Sequence, residues 1–212
     1  LTAQTRGATS VYACDLDGDG DNDILSSSWH DCKIAWYENT DGSGTFGPQE
    51  MITNVADSAS SVYACDLDGD GDKDVLSASA GDDKIAWYEN IDGNGIFGGQ
   101  QIITTLANGA SSVYSCDIDG DGDNDVLSAS MLDDKIAWYE NIEGNGTFGV
   151  QQIITISTDG ANSVFSCDLD GDGDMDVLAT SFWDSKITWY ENTDGFGTFG
   201  DQQIITTLAD VV

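Results

Sequence analysis

The sequence is poor in basic residues. Only six of its 212 residues are Lys or Arg, against 39 Asp and Glu, and the formal net charge is −33. A surface this acidic repels nucleic acids and anionic membranes, so both classes of partner are excluded. No stretch approaches the roughly 18 consecutive apolar residues of a transmembrane helix, so no membrane insertion is predicted.

Histidine, arginine and proline each occur only once. The scarcity of the first two argues against catalysis, and the scarcity of proline argues against disorder. His30 and Arg6 cannot form a convergent acid–base set, so we expect a protein that is not an enzyme. Hydrophobic residues make up 40% of the chain. That share is enough for a packed core, so disorder is not expected despite the charge.

The five cysteines lack the spacing of a disulfide framework. Four recur at the same register and Cys32 stands outside it. An odd number with this spacing favours buried small hydrophobic residues over disulfides or a catalytic thiol. The four in register are Cys14, Cys65, Cys116 and Cys167.

What the sequence does contain is a repeat of 51 residues. Residues 62–112 and 113–163 are identical at 38 of 51 positions. A repeat of this length is typical of a propeller blade and too long for a rung of a β-helix. Within it we predict four strands, at SVYACDL, DVLSAS, KIAWYEN and QQIITT, with a hairpin at the glycine-rich turn DGNGIFG.

The predicted fold is therefore all-β, with four tandem four-stranded blades of the β-propeller type in a single domain, 1–212. The blades are placed at about 11–61, 62–112, 113–163 and 164–212, and residues 1–10 are interpreted as the tail of a preceding repeat. The N-terminal segment LTAQTRGATS has neither an initiator Met nor a signal-peptide pattern, so a processed chain or a piece of a longer one is expected. Three arrangements stay open: a ring of four blades, further repeats beyond the ends, or copies that complete each other. The last two are favoured.

Each repeat also contains an acidic loop, first seen as CDLDGDGDND from Cys14. Carboxylates this close repel one another unless a cation cancels their charge. Alternating oxygen donors around a glycine suit Ca²⁺, which takes 6–8 oxygen ligands, whereas Mg²⁺ resists a cage made only of protein ligands. About four Ca²⁺ ions are predicted, one for each repeat. The predicted metal-binding residues are Asp15, Asp17, Asp19, Asp21, Asp23, Asp66, Asp68, Asp70, Asp72, Asp74, Asp117, Asp119, Asp121, Asp123, Asp125, Asp168, Asp170, Asp172, Asp174 and Asp176.

Comparison of the four loops assigns roles to their positions, with Asp15 counted as position 1. Position 2 is always apolar, which predicts a plug that anchors the loop to the core. Position 7 is expected to ligate through its backbone carbonyl, and position 8, which varies, is expected to face solvent. Position 12 is Ser or Ala where an EF-hand has a bidentate Glu, and the predicted flanks are strands, so the loop is not an EF-hand.

The motif D-x-D-x-D-G-x-x-D between two short strands, followed by a later Phe-Gly, resembles the FG-GAP/VCBS repeats. Such repeats form blades in the integrin α-subunit head and in secreted microbial and algal proteins. The resemblance covers nearly the whole chain, although four repeats stand where seven are common. It implies propeller blades with Ca²⁺ in the loop between their first two strands, and an extracellular role in adhesion, recognition or scaffolding.

Outside the loops, the repeats differ most between their second and third strands. A contact surface for glycans or proteins is one interpretation of the residues there, and packing between blades is the other. They are Trp29, His30, Met131, Leu132, Phe182 and Trp183. The sequon at Asn145 is a candidate glycosylation site on a hairpin tip. The regularly spaced tryptophans, such as Trp36, are predicted to pack in the core, and the regular lysines, such as Lys33, to pair with acids of a neighbouring blade.

Two non-enzymatic functions are compatible with these features. The first is a structural or adhesion module that assembles with further repeats or copies into a surface array or filament. The second is a discrete recognition propeller that binds a glycan or a protein through its variable loops. Some polysaccharide lyases use propellers of the resembling family, but this chain lacks the basic and histidine residues that they need.

Overall fold

The computed structural model describes residues 6–209 and consists of four antiparallel sheets, each with four strands in chain order. Sheet 1 contains β1 (Ala8–Cys14), β2 (Asp23–Ser28), β3 (Lys33–Tyr37) and β4 (Glu50–Thr53). Sheet 2 contains β5 (Ala59–Cys65), β6 (Asp74–Ser79), β7 (Lys84–Tyr88) and β8 (Gln101–Thr104). Sheet 3 contains β9 (Ala110–Cys116), β10 (Asp125–Ser130), β11 (Lys135–Tyr139) and β12 (Gln152–Thr155). Sheet 4 contains β13 (Ala161–Cys167), β14 (Asp176–Ser181), β15 (Lys186–Tyr190) and β16 (Gln203–Thr206).

This architecture confirms the predicted fold class. The β-branched and aromatic residues of each strand pair in antiparallel register with the next strand, as β6 does with both β5 and β7. The only helical segment in residues 6–209 is a short 3₁₀ turn, Ile142–Gly144. Within these residues there is no helix with the length and hydrophobicity needed to cross a membrane.

Neighbouring sheets pack face to face, and three hydrophobic clusters hold them together. One joins sheets 1 and 2, the next joins sheets 2 and 3, and the third joins sheets 3 and 4. In the first, Leu16 of sheet 1 and Val62 of sheet 2 are both buried. Burial of side chains of this size contributes about 1.5–3 kcal/mol each, so a sheet depends on its neighbour for much of its stability.

The first strands of the four sheets lie side by side, and an aromatic ladder runs across them. The ring centroids of Tyr12 and Tyr63 are 4.7 Å apart, and Tyr63 and Tyr114 follow at 4.8 Å. Tyr114 and Phe165 complete the ladder at 4.7 Å. Tilted aromatic pairs at such distances add about 0.5–1.5 kcal/mol beyond their buried area, so the ladder holds the sheets in register.

Hydrogen bonds between sheets repeat the same pattern. In sheets 1 to 3, a bulge near the start of the first strand turns a hydroxyl toward the next sheet, as where Ser60 Oγ donates to the Ala110 carbonyl at 2.7 Å. At the other end of the interface, the Asn141 side-chain amide donates to the Leu67 carbonyl at 2.7 Å. Asn141 is buried, so the loss of this bond would leave a polar group without a partner.

We expect Asn141→Ala to lower the free energy of unfolding by about 2–3 kcal/mol, because the substitution leaves buried backbone groups unsatisfied. Asn39→Ala is the matched control, since Asn39 holds the same position in sheet 1 and donates within its own repeat, to the Asn22 carbonyl. Its cost should be at least 1 kcal/mol smaller. Urea unfolding of both variants in calcium measures the difference, and equal losses would show that the bond between sheets is unimportant.

The four sheets do not close into a ring within residues 6–209. The hydrophobic clusters join only consecutive sheets, and none joins sheet 4 to sheet 1. The predicted core tryptophans follow this arrangement. Three of them are buried, Trp36, Trp87 and Trp138, whereas Trp189 of sheet 4 is only half-buried because no sheet follows it among the described residues.

The predicted pairing of the regular lysines with a neighbouring blade is not what the structure contains. Each lysine pairs with an aspartate two residues earlier in its own repeat, as Lys84 does with Asp82 at 2.7 Å. The turn between the second and third strands brings the two charges together at the start of the third strand. The preceding sheet is also within reach, but there Lys135 Nζ donates to a backbone carbonyl, that of Leu106 at 2.8 Å, and not to an acid. The four pairs are Lys33–Asp31, Lys84–Asp82, Lys135–Asp133 and Lys186–Asp184.

Candidate metal centre

The acidic loop of each repeat connects the first strand of a sheet to the second. In the first loop, Asp15 anchors the turn, because its carboxylate accepts the N–H groups of Gly18 at 2.8 Å and Gly20 at 3.0 Å. The Asp19 carboxylate accepts the N–H of Asp21 at 2.9 Å. The same bonds recur in all four loops, from Asp66, Asp117 and Asp168 onward. These bonds define the conformation of the loop backbone and orient its carboxylates.

The loops bring their carboxylates together. In each repeat, one oxygen from each of three aspartates lies within 4.8 Å of the other two, close enough for all three to bind one cation. Positions 1, 3 and 5 meet in the first two repeats, and positions 1, 3 and 9 meet in the last two. These groups are Asp15, Asp17 and Asp19; Asp66, Asp68 and Asp70; Asp117, Asp119 and Asp125; and Asp168, Asp170 and Asp176.

Position 9 is the buried member of the loop. In the second repeat, the Asp74 carboxylate accepts the N–H groups of Leu67 at 2.9 Å and of Asn90 at 2.8 Å. The pKa of Asp74 is raised to about 7, mainly by burial and to a smaller extent by the charges of Asp68 and Asp70, although the two hydrogen bonds lower it. The pKa of Asp125 in the third repeat is about 7 for the same reason. A cation at this site would favour the ionised carboxylates.

Burial and the neighbouring charges also raise the pKa of position 3. Burial is the largest cause for Asp68 and Asp119, followed by the charge of the aspartate at position 5. These shifts express the repulsion that the sequence predicts for such a loop. Four loops that hold all-oxygen donor sets of this kind fit a hard divalent cation.

Position 7 is separate from these groups. The Asp21 carboxylate lies directly over Gly42, a glycine of the hairpin between β3 and β4, where even a Cβ atom would collide with it. Position 12 lies in the second strand, where Ser77 and Ser128 are buried. A residue there points into the sheet, which explains why no carboxylate is needed at the position that an EF-hand gives to Glu.

The apolar residue at position 2 is a plug, but its partner is the following sheet. Leu16, Leu67 and Ile118 are buried in the clusters between sheets, whereas Leu169 of the last repeat is 43% exposed. Position 8 faces solvent at Asn22 and Lys73, as predicted. In the last two repeats the prediction is not met: Asn124 donates its side-chain amide to the Asp66 carbonyl of the preceding loop at 2.9 Å, and Met175 is half-buried.

The asparagine two residues after the third strand is a part of the site that sequence reasoning missed. The Asn90 N–H donates to the buried Asp74, its side-chain amide donates to the Leu16 carbonyl at 2.8 Å, and its side-chain oxygen accepts the N–H of Gly95. One residue thus connects its own loop, its own hairpin and the preceding loop. Its signal was in the sequence, because KIAWYEN and its variants end in Asn in every repeat.

The predicted contact residues lie in the turns between second and third strands, at the end of the sheets opposite the acidic loops. Their backbones bond to the start of the first strand, as in the bond from Trp29 N–H to the Gly7 carbonyl at 2.8 Å. Trp29, His30, Leu132, Phe182 and Trp183 are exposed, and Met131 is half-buried. Asn145 is exposed on the hairpin between β11 and β12, where a glycan could be attached.

The five cysteines are free thiols, but the predicted burial is found in full only at Cys65, and the other four are half-buried. Cys65 is buried, and Cys14 and Cys116 are half-buried. Burial raises the pKa of each of these three thiols to about 12. They are therefore protonated at neutral pH and poor nucleophiles.

Comparison with known families identifies the repeat. A family model described as an FG-GAP-like repeat matches residues 15–77, 66–128 and 117–179, which together cover more than half of the chain. Each match begins at the first aspartate of one loop and ends beyond the next loop. No curated protein sequence matches the chain significantly.

Solved structures with a similar fold are larger than this chain. The V. cholerae biofilm matrix protein Bap1 is 22% identical with a TM-score of 0.56, covering 92% of this chain and 28% of Bap1. A structure of NanB with Optactamide is 13% identical with a TM-score of 0.51, covering 81% of this chain and 27% of NanB. The exotype rhamnogalacturonan lyase YesX is 16% identical with a TM-score of 0.47, covering 91% of this chain and 40% of YesX. At these identities, the first two similarities concern the fold alone.

Proposed function

Because the chain belongs to the FG-GAP-like repeat family, we propose that it is a non-enzymatic, extracellular calcium-binding repeat protein that acts as a structural or adhesion module. The observation that carries this proposal is the convergence of three carboxylates in each of four loops at the same place in every repeat. Bap1, the similar structure named above, is described as a biofilm matrix protein. A matrix or cell-surface role of that general kind suits a rigid array of small sheets.

Calcium is the proposed cation because the site offers only oxygen ligands and has space for several of them. Carboxylates at positions 1, 3, 5 and 9 would hold the ion, and the backbone carbonyl at position 7 would complete the set. Millimolar calcium is characteristic of extracellular modules, whose sites bind with Kd values of roughly 10⁻⁴–10⁻³ M. In this role the ion neutralises the loop and stabilises the sheet, and no reaction takes place on it.

We expect the metal-free protein to bind four Ca²⁺ ions, one for each loop. Isothermal titration calorimetry after treatment with a chelator measures the number. Asp119→Asn, which removes one of three converging carboxylates in the third loop, should reduce it to three. Asp201→Asn makes the same change of charge at an exposed residue outside the loops and should leave it at four. A titration without any saturable binding would overturn the proposal.

The structural role includes assembly with repeats of the same kind, supplied by further repeats or by copies of the chain. Its support is the open arrangement of the sheets, since a unit of this type is stabilised by packing against a neighbour. Sedimentation of the protein with and without calcium tests the role. Assemblies that form in calcium and dissociate with a chelator are expected, and a monomer under both conditions would contradict it.

A second candidate function is recognition of a glycan or a protein. A groove of about 230 Å³ lies among the first strands of the four sheets, and its lining includes Trp29, Met131 and the hydroxyls of Thr9 and Ser111. An aromatic ring beside hydroxyl groups is a suitable surface for a sugar. Binding of the monomer to a glycan array, lost in Trp29→Ala and retained in Trp183→Ala, would favour recognition over the structural role.

A further inference from the structure

The two ends of the sheet array have complementary faces. The interface between consecutive sheets occurs three times in the chain, and each occurrence uses one face of the earlier sheet and the opposite face of the later sheet. Sheet 1 therefore has one face that no described sheet covers, and sheet 4 has the other. We define the leading face by Val11, Tyr12 and Gly44 of sheet 1, and the trailing face by Ser163, Phe165, Leu169 and Trp189 of sheet 4.

The leading face carries one half of each internal contact. Val62, Val113 and Val164 are about 95% buried against the preceding sheet, whereas Val11 at the same position is 70% exposed. The glycines Gly95, Gly146 and Gly197 each lie against a tryptophan of the preceding sheet. Gly44 holds the same position in sheet 1, and a Cβ atom added there would have no atom within 4 Å. The leading face thus presents an unfilled surface with the shape of an internal interface.

The trailing face carries the other half. Phe165 ends the aromatic ladder and is 49% exposed, and the plug Leu169 is exposed although its three counterparts are buried. Trp189, whose counterparts cover the glycines of the next sheet, is half-buried. These side chains form an apolar surface whose internal equivalents are covered.

The hydrogen bonds of the interface are also left half-made. Inside the array, the Val113 N–H donates to Ser61 Oγ at 3.4 Å and the Val164 N–H to Ser112 Oγ at 3.3 Å. The corresponding acceptor on the trailing face is the exposed Ser163, and the corresponding donor on the leading face is the Val11 N–H. Similarly, Asn192 donates to the Ile118 carbonyl at 2.8 Å, while no side-chain amide of residues 6–209 reaches the equivalent Leu169 carbonyl.

We propose that the trailing face of one copy docks on the leading face of a second copy, reproducing the internal interface between sheets. A second copy is the partner that fits the trailing face, because the chain already contains the matching surface. That surface covers the trailing side of a sheet three times inside the array, as the faces that carry Val62, Val113 and Val164. This inference rests on the assembly role proposed above and adds the faces that carry it. The contact is heterologous, so it generates a closed ring or a filament according to the rotation between copies.

Single substitutions on the two faces test the docking on the 212-residue chain in millimolar calcium. Val11→Arg places a charge on the leading face, and Ser163→Arg places the same charge on the trailing face. Val150→Arg, at an exposed residue of a turn outside both faces, is the matched control. Sedimentation velocity should show assemblies for the wild type and for V150R, and monomers of 22.5 kDa for V11R and S163R alone.

Mixing the two monomeric variants gives the sharpest result. V11R retains its trailing face and S163R retains its leading face, so an equimolar mixture should form a 1:1 dimer of about 45 kDa, twice the 22.5 kDa chain, and nothing larger. A mixture that stays monomeric overturns the docking. Melting curves in calcium confirm that each variant is folded.

The outcomes also separate this inference from the proposed function. If the wild type assembles and V11R and S163R assemble equally well, the face assignment is wrong and the structural role stands. If the wild type binds four Ca²⁺ ions and stays a monomer, the docking and the assembly role fail together, and the calcium-binding repeat stands. If no calcium is bound, the proposed function itself fails.

Discussion

Chelation of divalent metal should lower the melting temperature of the protein by about 10 °C or more. Millimolar calcium is about ten times a Kd of roughly 10⁻⁴ M, and an ion at that ratio stabilises a folded site by about 1.4 kcal/mol, so four sites together give about 6 kcal/mol if the sheets unfold as one unit. In a chain of 212 residues, each kcal/mol shifts the melting temperature by about 2–4 °C. Without the ion, the repulsion among the aspartates of each loop opposes folding, which adds to the effect.

Thermal melting followed by circular dichroism, in millimolar calcium and in EDTA, measures this shift. The effect of Asp119→Asn on the melting temperature should depend on calcium. In calcium the variant should melt below the wild type, because a ligand is lost. In EDTA it should melt at or above the wild type, because a repelling charge is lost. Asp201→Asn should match the wild type under both conditions. Equal melting temperatures for the wild type in calcium and EDTA would mean that the loops hold no stabilising cation.

The strands could be predicted from the sequence because their signals are local. KIAWYEN alternates Ile and Trp on one side with Ala and Tyr on the other, and the structure places a strand at Lys84–Tyr88 within it, with both sides buried. The convergence of carboxylates was also accessible, since the same alternating aspartates occur four times and each loop spans only nine residues from its first aspartate to its last.

The remaining features depend on contacts with another sheet, which a single repeat does not encode. The apolar plug at Leu16 was expected to anchor the loop to the core, and it does so, but that core lies between sheets 1 and 2. The loss of burial at Leu169 could be seen only when the sheets were known not to close. Asn90 joins three segments separated by up to 74 residues, and its identity in each repeat gives no indication of which partners it bonds.

The second glycine of the hairpin between the third and fourth strands, Gly146 in sheet 3, provides the strictest test of the packing between sheets. Gly146 has a φ of +73°, and a Cβ atom there would fall on the ring of Trp87 from sheet 2. Gly44 has a φ of +92° and open space around it. The two residues hold the same position in their repeats, so substitution by alanine imposes a comparable backbone strain at both and a steric collision at only one.

We therefore expect Gly146→Ala to cost about 4 kcal/mol and Gly44→Ala about 1 kcal/mol, since an L-residue in the left-handed region costs about 1–2 kcal/mol and forced repacking of a core adds about 1–3 kcal/mol. Urea unfolding in calcium, at protein concentrations low enough to keep the chain monomeric, measures both. An equal loss of unfolding free energy in both variants would show that the Trp87 side chain moves aside without an energetic penalty and that the interface between sheets is loosely packed. Gly44→Ala should nevertheless have a large effect on assembly at high protein concentration, although it costs the monomer little stability. Its added methyl group lies where Trp189 of the second copy would pack, so the variant should stay monomeric where the wild type assembles.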